Sequence, residues 1–168
     1  FEHLQCKSGE MFDEHAVREQ VRLRHREILG RNDLMPGVRE YLRDAGELGL
    51  GCAVASSSRR EWVDPHLERF GISRHFICTR CREDVGRVKP APDLFLAAAE
   101  CVGVEPAACL ALEDSPNGIA SAKAAGMRVI GVPNEITRGL DLSGADLVVE
   151  SLGAVPLRAV LIHLTSKY

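Results

Sequence analysis

Two adjacent acidic residues, Glu113 and Asp114, directly follow a short apolar run at residues 109–112. The run has the length and composition of a buried parallel strand, so the two acids would lie at its carboxyl end. Ligands of open parallel sheets bind outside this end, and carboxylate oxygens suit a hard cation such as Mg²⁺. The same residues fit a helix start equally well, because Ser115 or Asp114 can cap a helix that begins with Pro116. Taken alone, the two interpretations have about equal support.

Two other places in the chain carry polar residues suited to phosphate. Ser56 and Ser57 come directly after the apolar run at residues 50–55, and Lys89 precedes two prolines that stiffen its loop. A serine hydroxyl can hydrogen-bond phosphate oxygens, and a lysine neutralises their charge. Each residue by itself also fits an ordinary turn serine or a solvated lysine. Together with the two acids, and in this order, they favour a site for a phosphoryl group and its metal.

The elements that would position these residues alternate along the chain. The alternation predicts parallel strands joined by crossover helices, hence a doubly wound, Rossmann-like α/β fold. One proline, Pro65, lies inside a helical stretch and predicts a kink or a break there. The expected helices cover residues 38–48, 59–70, 93–102, 116–125 and 152–164, and the expected strands cover residues 50–55, 76–79, 109–112, 128–132 and 145–149.

A charged helical stretch at residues 12–29 precedes this pattern and has only a loose apolar stripe. Met35-Pro-Gly marks a turn, so we expect a boundary near Leu34. The net charge of the 168 residues is −3, so no overall field attracts nucleic acid or an anionic membrane. The apolar runs fall far short of the ~20 residues that span a bilayer.

The cysteines indicate a reducing environment. Cys52, Cys101 and Cys109 lie in apolar strand or helix contexts, where a free thiol behaves as a small hydrophobic side chain. The pair Cys78-Thr-Arg-Cys81 has no second pair to complete a zinc site. We therefore expect a cytoplasmic protein with free thiols.

Three motifs together resemble those of the haloacid dehalogenase-like hydrolase superfamily, in its β-phosphoglucomutase and phosphatase-like branch. Ala-Val-Ala-Ser-Ser at residues 53–57 is similar to the family's second motif, Val-Lys-Pro-Ala-Pro-Asp at 88–93 to its third, and Leu-Glu-Asp-Ser-Pro-Asn-Gly at 112–118 to its fourth. The resemblance implies a Mg²⁺-dependent phosphatase or phosphomutase acting on a small phosphorylated metabolite such as a sugar phosphate. It implies catalytic roles for Ser56 and Lys89, phosphate binding by Ser56, Ser57 and Lys89, and metal binding by Glu113 and Asp114.

The resemblance also divides the chain into two parts. It covers the second, third and fourth motifs of the family, whereas the first motif is absent from this sequence. Residues 1–34 look like the remainder of a helical cap, and residues 35–168 like the α/β core without its first strand. In that family an Asp-x-Asp loop after the first strand supplies the nucleophile and the general acid/base. The pair Asp13-Glu14 cannot replace it, because it precedes a helix instead of following an apolar strand.

The missing strand would lie centrally in the sheet, between the strands that end at Ser56 and at Leu112. We therefore expect an N-terminally truncated chain that is inactive alone. One alternative is a non-catalytic phosphate- or metal-binding protein of the same fold. A receiver-type signalling domain fits less well, because the spacing of Lys89 and the cap-like segment have no place in it.

Overall fold

The computed structural model describes residues 13–30 and 33–166, which divide into two compact units between Asp33 and Leu34. The first unit contains helix α1, Glu14–Gly30, where the sequence predicts a charged helix. The Asp13 carboxylate accepts hydrogen bonds from the backbone N–H groups of His15 and Ala16, at 2.9 and 3.2 Å. Asp13 therefore supports the start of a helix, as expected from its place in the sequence.

The second unit alternates helices and strands and confirms the predicted α/β fold. Its helices are α2 (Val38–Glu47), α3 (Arg60–Arg69), α4 (Asp93–Val102), α5 (Pro116–Ala124) and α6 (Leu157–Thr165). Its strands are β1 (Ala53–Ala55), β2 (Cys78–Arg80), β3 (Leu110–Glu113), β4 (Arg128–Gly131) and β5 (Leu147–Val148). Among the described residues, no helix is both long and apolar enough to cross a lipid bilayer.

The strands form two parallel sheets. β1 pairs with β2 in one sheet, and the other has the order β3-β4-β5. Within residues 33–166, β1 and β3 are edge strands that do not pair with each other. They are the two strands between which the resemblance places a further strand.

Helices pack on both faces of the larger sheet. Val129 and Ile130 are consecutive residues of β4, and both are fully buried. Because successive side chains of a strand point to opposite faces, each belongs to a different core. The core around Val129 is formed mainly by α4 and α5 and contains Phe95, Ala99, Ala111, Ile119 and Ala122. The core around Ile130 contains Val149 and two residues of α6, Val160 and Leu164.

Strand and helix bounds shift by a few residues from the predicted ones, and three of the differences have a clear physical cause. β1 begins only at Ala53, because Leu50 closes the turn after α2 by donating its N–H to the Ala45 carbonyl at 2.9 Å. α3 continues through Pro65 without a break, which forfeits one main-chain hydrogen bond while Val63 stays buried. The last predicted helix begins only at Leu157, because Pro156 cannot continue the short 3₁₀ turn Leu152–Ala154 as a helix.

An acidic side chain ties α5 to β4. Asp146 accepts hydrogen bonds from Lys123 Nζ of α5 at 2.7 Å and from the Val129 N–H of β4, also at 2.7 Å. Burial alone would raise the pKa of the Asp146 carboxyl, but these two hydrogen bonds and the positive charges of Lys123 and Arg128 together hold the pKa below its usual range. The contact fixes α5 against the sheet on which it packs.

A disulfide links Cys78, the first residue of β2, to Cys101 in the last turn of α4. The expectation of a free thiol at Cys101 is therefore wrong. The chain leaves β2 and returns along α4, which packs against that strand, so residues 23 positions apart meet with their Cα atoms 6.7 Å apart. Local sequence context could not reveal this meeting. Cys52, Cys81 and Cys109 are free.

The disulfide should make stability depend on redox conditions. From the entropy of closing a loop of this length, we expect Cys101→Ser to lower the free energy of unfolding of the oxidised protein by about 3 kcal/mol. In excess reductant the variant and the parent protein should differ by less than about 1 kcal/mol. Denaturant unfolding with and without reductant measures both values. Cys109→Ser is the control, and its effect should be the same in both conditions; a parent protein whose stability ignores reductant would contradict the disulfide.

Asp146 should make stability depend on pH. Its folded-state pKa lies below its unfolded-state value, so its contribution is present above the unfolded pKa of about 4 and is lost as the pH falls through the folded pKa. We expect Asp146→Asn to destabilise the protein by about 2 kcal/mol at pH 7, because hydrogen bonds to a charged group are lost. The difference should shrink in unfolding experiments below pH 4. A difference that is constant from pH 7 to pH 3 would refute this assignment.

Candidate active site

Lys89 and Glu113 form an ion pair that is largely shielded from water. Lys89 Nζ donates a hydrogen bond to Glu113 Oε1, and the two side chains expose only 15% and 7% of their surface. The ammonium group also lies 4.7 Å from the centre of the Phe95 ring, a cation–π contact with a buried side chain of α4. A carboxylate and an aromatic ring therefore fix the position of this charge.

The pair links two loops that follow different strands. Lys89 lies between β2 and α4, whereas Glu113 is the last residue of β3. Their contact brings the loop after β2 to the carboxyl end of β3, where ligands of parallel sheets bind. Breaking a buried pair by removing one partner leaves an uncompensated charge, so each residue depends on the other.

Glu113 owes its position to the first turn of α5. Ser115 caps this helix by accepting a hydrogen bond from the Gly118 N–H at 3.1 Å, and Pro116 is the first helical residue. The Ser115 hydroxyl lies 3.3 Å from Glu113 Oε2, to which it donates. A Cβ atom on Gly118 would lie only 1.8 Å from the same oxygen, so glycine provides the space for the carboxylate.

The loop that carries Lys89 is held by the next turn of α5. Ser121 is fully buried, and its hydroxyl donates a hydrogen bond to the Ala91 carbonyl at 2.6 Å. A buried hydroxyl needs such a partner, and here the partner lies two residues from Lys89. No sequence signal points to this role, since Ser121 stands among alanines in a helical stretch.

Asp114 has different contacts from its neighbour Glu113. Ser115 rather than Asp114 caps α5, so the capping interpretation of Asp114 does not hold. Asp114 is half-buried, and its Oδ2 atom accepts a hydrogen bond from the side-chain amide of Asn134 at 2.5 Å. The described contacts of Asp114 include no ion pair. Among the residues that the structure describes, a lysine pairs with Glu113 and not with Asp114.

The donor chemistry at Asp114 fits Mg²⁺ in part. A half-buried carboxylate without a cationic partner is a suitable oxygen ligand for this ion. Within residues 13–30 and 33–166, however, no group of three or more His, Cys, Asp or Glu side chains is arranged to hold a metal. Mg²⁺ is commonly held by one or two carboxylates and completes its coordination with water and substrate phosphate. With Asp114 as its one protein carboxylate, the ion would need these further ligands.

Ser56 and Ser57 lie directly after β1. The Ser56 N–H continues the pairing of β1 with β2 by donating to the Arg80 carbonyl at 2.8 Å, and Ser56 Oγ accepts from the Ser58 N–H at 3.1 Å. The hydroxyl hydrogen of Ser56 is thereby left to donate to a ligand. None of the described contacts joins either serine to Lys89 or Asp114, so their convergence on one site stays a prediction.

A profile of the haloacid dehalogenase-like hydrolases matches residues 4–126 of the chain. The match covers more than half of the sequence, and it agrees with the α/β fold and with the order of the polar motifs. The chain belongs to the haloacid dehalogenase-like hydrolase family.

Two relatives illustrate where the chain stands in this family. It is 39% identical to YhcW of Bacillus subtilis (strain 168) over 167 residues, which make up 99% of this chain and 76% of YhcW. It is 40% identical to hexitol phosphatase B of Escherichia coli (strain K12) over 100 residues, or 60% of this chain and 45% of that protein.

Two solved structures share the fold. CbbY from Rhodobacter sphaeroides in complex with phosphate matches with a TM-score of 0.73 and 28% identity, over 86% of this chain and 66% of CbbY. A β-phosphoglucomutase from Clostridium difficile matches with a TM-score of 0.72 and 27% identity, over 81% of this chain and 58% of that enzyme. The chain spans less than two thirds of both of these proteins.

Gly118→Ala should displace the Glu113 carboxylate. The nearest heavy atoms to an added Cβ all belong to the Glu113 side chain, so we expect a loss of about 1–3 kcal/mol in the free energy of unfolding. The cost should largely vanish in a Glu113→Ala background, because the clash has been removed. Denaturant unfolding of the four proteins measures this coupling.

The matched control is Gly139→Ala, since an added Cβ there meets no atom within 4 Å. It should change the free energy of unfolding by no more than about 0.5 kcal/mol. Equal effects of Gly118→Ala with and without Glu113 would show that the glycine serves another purpose.

Proposed function

We propose that this chain carries the phosphoryl-binding part of a Mg²⁺-dependent phosphatase or phosphomutase acting on a small phosphorylated metabolite, such as a sugar phosphate. The observation that carries the proposal is the buried Lys89–Glu113 pair beside Asp114 at the carboxyl end of β3. Membership of the hydrolase family supports it. The names of two similar proteins, a hexitol phosphatase and a β-phosphoglucomutase, support the substrate class.

Lys89 would stabilise the transferring phosphoryl group. Its ammonium group is held in place before substrate arrives, so little reorganisation is needed when negative charge develops on the phosphoryl oxygens. Shielding from water strengthens this interaction. Glu113 would keep Lys89 oriented, and the hydroxyl and backbone N–H groups of Ser56 and Ser57 would bind the remaining phosphate oxygens.

Both Glu113 and Asp114 are predicted to serve the metal, and their contacts suggest unequal roles. Asp114 is the residue that would hold Mg²⁺, because Glu113 is already paired with Lys89. When bound, the ion would withdraw charge from the phosphoryl oxygens as a Lewis acid. Asp114 itself would contribute a fixed anionic oxygen beside the phosphate site.

A further strand in the functional enzyme would lie between β1 and β3. Each of these strands has one hydrogen-bonded neighbour in the described part of the chain, and Leu112 of β3 exposes 43% of its surface. An Asp-x-Asp loop following that strand would supply the nucleophile and the general acid/base. On this proposal residues 1–34 belong to a helical cap and residues 35–168 are the core lacking its first strand, although residues 1–12, 31, 32, 167 and 168 lie outside the described part of the chain. The chain alone would then have no turnover.

The cysteines bear on the proposed location of the protein. A cytoplasmic location would suit the free thiols of Cys52, Cys81 and Cys109, and it would keep Cys78 and Cys101 reduced until an oxidant acts.

The alternative function is a phosphate- or metal-binding protein of the same fold without catalysis. Saturable binding of phosphate and Mg²⁺ by the full-length protein without turnover would favour this alternative.

Hydrolysis of an aryl phosphate tests the proposal. In the full-length enzyme we expect Asp114→Asn to raise the Mg²⁺ concentration needed for half-maximal rate and to lower turnover at least about 100-fold, because several kcal/mol of charge stabilisation are lost. Lys89→Ala should lower turnover by at least as much. The control for Lys89→Ala is Arg43→Ala, which breaks an ion pair of an exposed arginine within α2 and should leave turnover nearly unchanged.

The same assay applied to the 168-residue chain should give no turnover. Metal-dependent hydrolysis by this chain would refute the proposed missing strand. An unchanged Mg²⁺ requirement in Asp114→Asn would refute the assignment of Asp114 to the metal.

A further inference from the structure

The loop that follows β4 places an asparagine against Asp114. The Val132 N–H donates to the Glu113 carbonyl at 2.7 Å, which extends the pairing of β3 with β4 by one step. Asn134 therefore lies beside the end of β3. Its Nδ2 atom lies 2.5 Å from Asp114 Oδ2, and both residues are half-buried.

The orientation of the Asn134 amide is fixed by its own loop. Asn134 Oδ1 accepts hydrogen bonds from the N–H groups of Ile136 and Thr137, at 2.8 and 3.1 Å. Since two donors occupy the oxygen, the NH₂ group is the one that faces Asp114. The Asn134 N–H in turn donates to Thr137 Oγ1 at 3.0 Å, and Thr137 is buried. The loop thus closes on itself and presents a preset donor.

We propose that Asn134 is a positioning residue for Asp114. Its amide holds Oδ2 and so turns Oδ1 towards the space outside the strand ends. The inference rests on the proposed function in one respect, namely that Asp114 binds Mg²⁺. Outer groups that hydrogen-bond a metal ligand orient it, and their loss typically weakens metal binding about 10–100-fold.

The chemistry of an amide suits this role better than that of a cation. An amide donates a hydrogen bond but carries no positive charge, so it orients the Asp114 carboxylate without offsetting its charge towards a metal. Lys89 does the opposite for Glu113, whose charge it offsets. Two adjacent acids thereby acquire different chemistry: one fixes a lysine, and the other remains an anionic ligand.

The decisive measurement is the binding of Mg²⁺ to the full-length protein in the absence of substrate. Binding is detected as a rise in melting temperature with increasing Mg²⁺ concentration. In Asn134→Ser the shorter side chain can still accept from the N–H groups of its own loop but cannot reach Asp114. We expect the Mg²⁺ concentration for half of the maximal shift to rise about 10–100-fold. Asn134→Ala should have the same effect and serves as the second variant should one of them fold poorly.

Thr137→Val is the matched control. It removes the hydroxyl that accepts from the Asn134 N–H and leaves the Asn134 amide in place. We expect a lower melting temperature without metal and a Mg²⁺ requirement within about twofold of the parent protein. If Thr137→Val and Asn134→Ser raise the requirement equally, Asn134 acts only by ordering its loop, and the proposal is overturned.

Asp114→Asn separates failure of this inference from failure of the proposed function. If Asp114→Asn abolishes the Mg²⁺ shift while Asn134→Ser leaves it unchanged, Asp114 binds the metal and Asn134 does not position it. If Asp114→Asn and the parent protein respond to Mg²⁺ alike, the metal site itself lies elsewhere and the proposed function fails at that point.

Discussion

The buried ion pair between Lys89 and Glu113 is the constraint on which the rest of the candidate site depends. Two charges withdrawn from water are tolerable only if they stay in contact, so the loop after β2 and the end of β3 must meet in one geometry. The Phe95 ring beside the ammonium group limits its movement further. A lysine held in this way is a fixed positive charge at the edge of a sheet, which is what recognition of a phosphoryl group requires.

Helix α5 provides the support for that pair. Its first turn leaves room for the Glu113 carboxylate at Gly118, and its second turn anchors the Lys89 loop through Ser121. The helix is itself fixed to β4 by the contact of Lys123 with Asp146. In the motif Glu-Asp-Ser-Pro-Asn-Gly the last residue is therefore needed for the position of the first.

The sequence determined much of the fold. Alternating apolar and helix-forming stretches specify the α/β pattern, since hydrophobic periodicity is a local property that each segment carries by itself. The start of α5 at Ser115 and Pro116 and the end of α4 at Gly103, with a φ of 71°, follow from local preferences for caps. The sequence also identified Lys89 on its proline-stiffened loop and the two acids at a strand end as candidate site residues. Element boundaries depend also on contacts beyond the local sequence, since β1 begins at Ala53 and not at the start of its apolar run.

Tertiary structure alone decided which of these residues meet. Nothing in the local sequence distinguishes Glu113 from Asp114, yet one contacts a lysine and the other an asparagine, because partners 24 and 20 residues away are brought to them by the packing of loops and strands. The Cys78–Cys101 disulfide arises in the same way, because helix α4 packs against strand β2 and brings the two cysteines together. Local preferences fix the elements, whereas contacts between distant residues depend on how the elements pack, and that packing is a property of the whole chain.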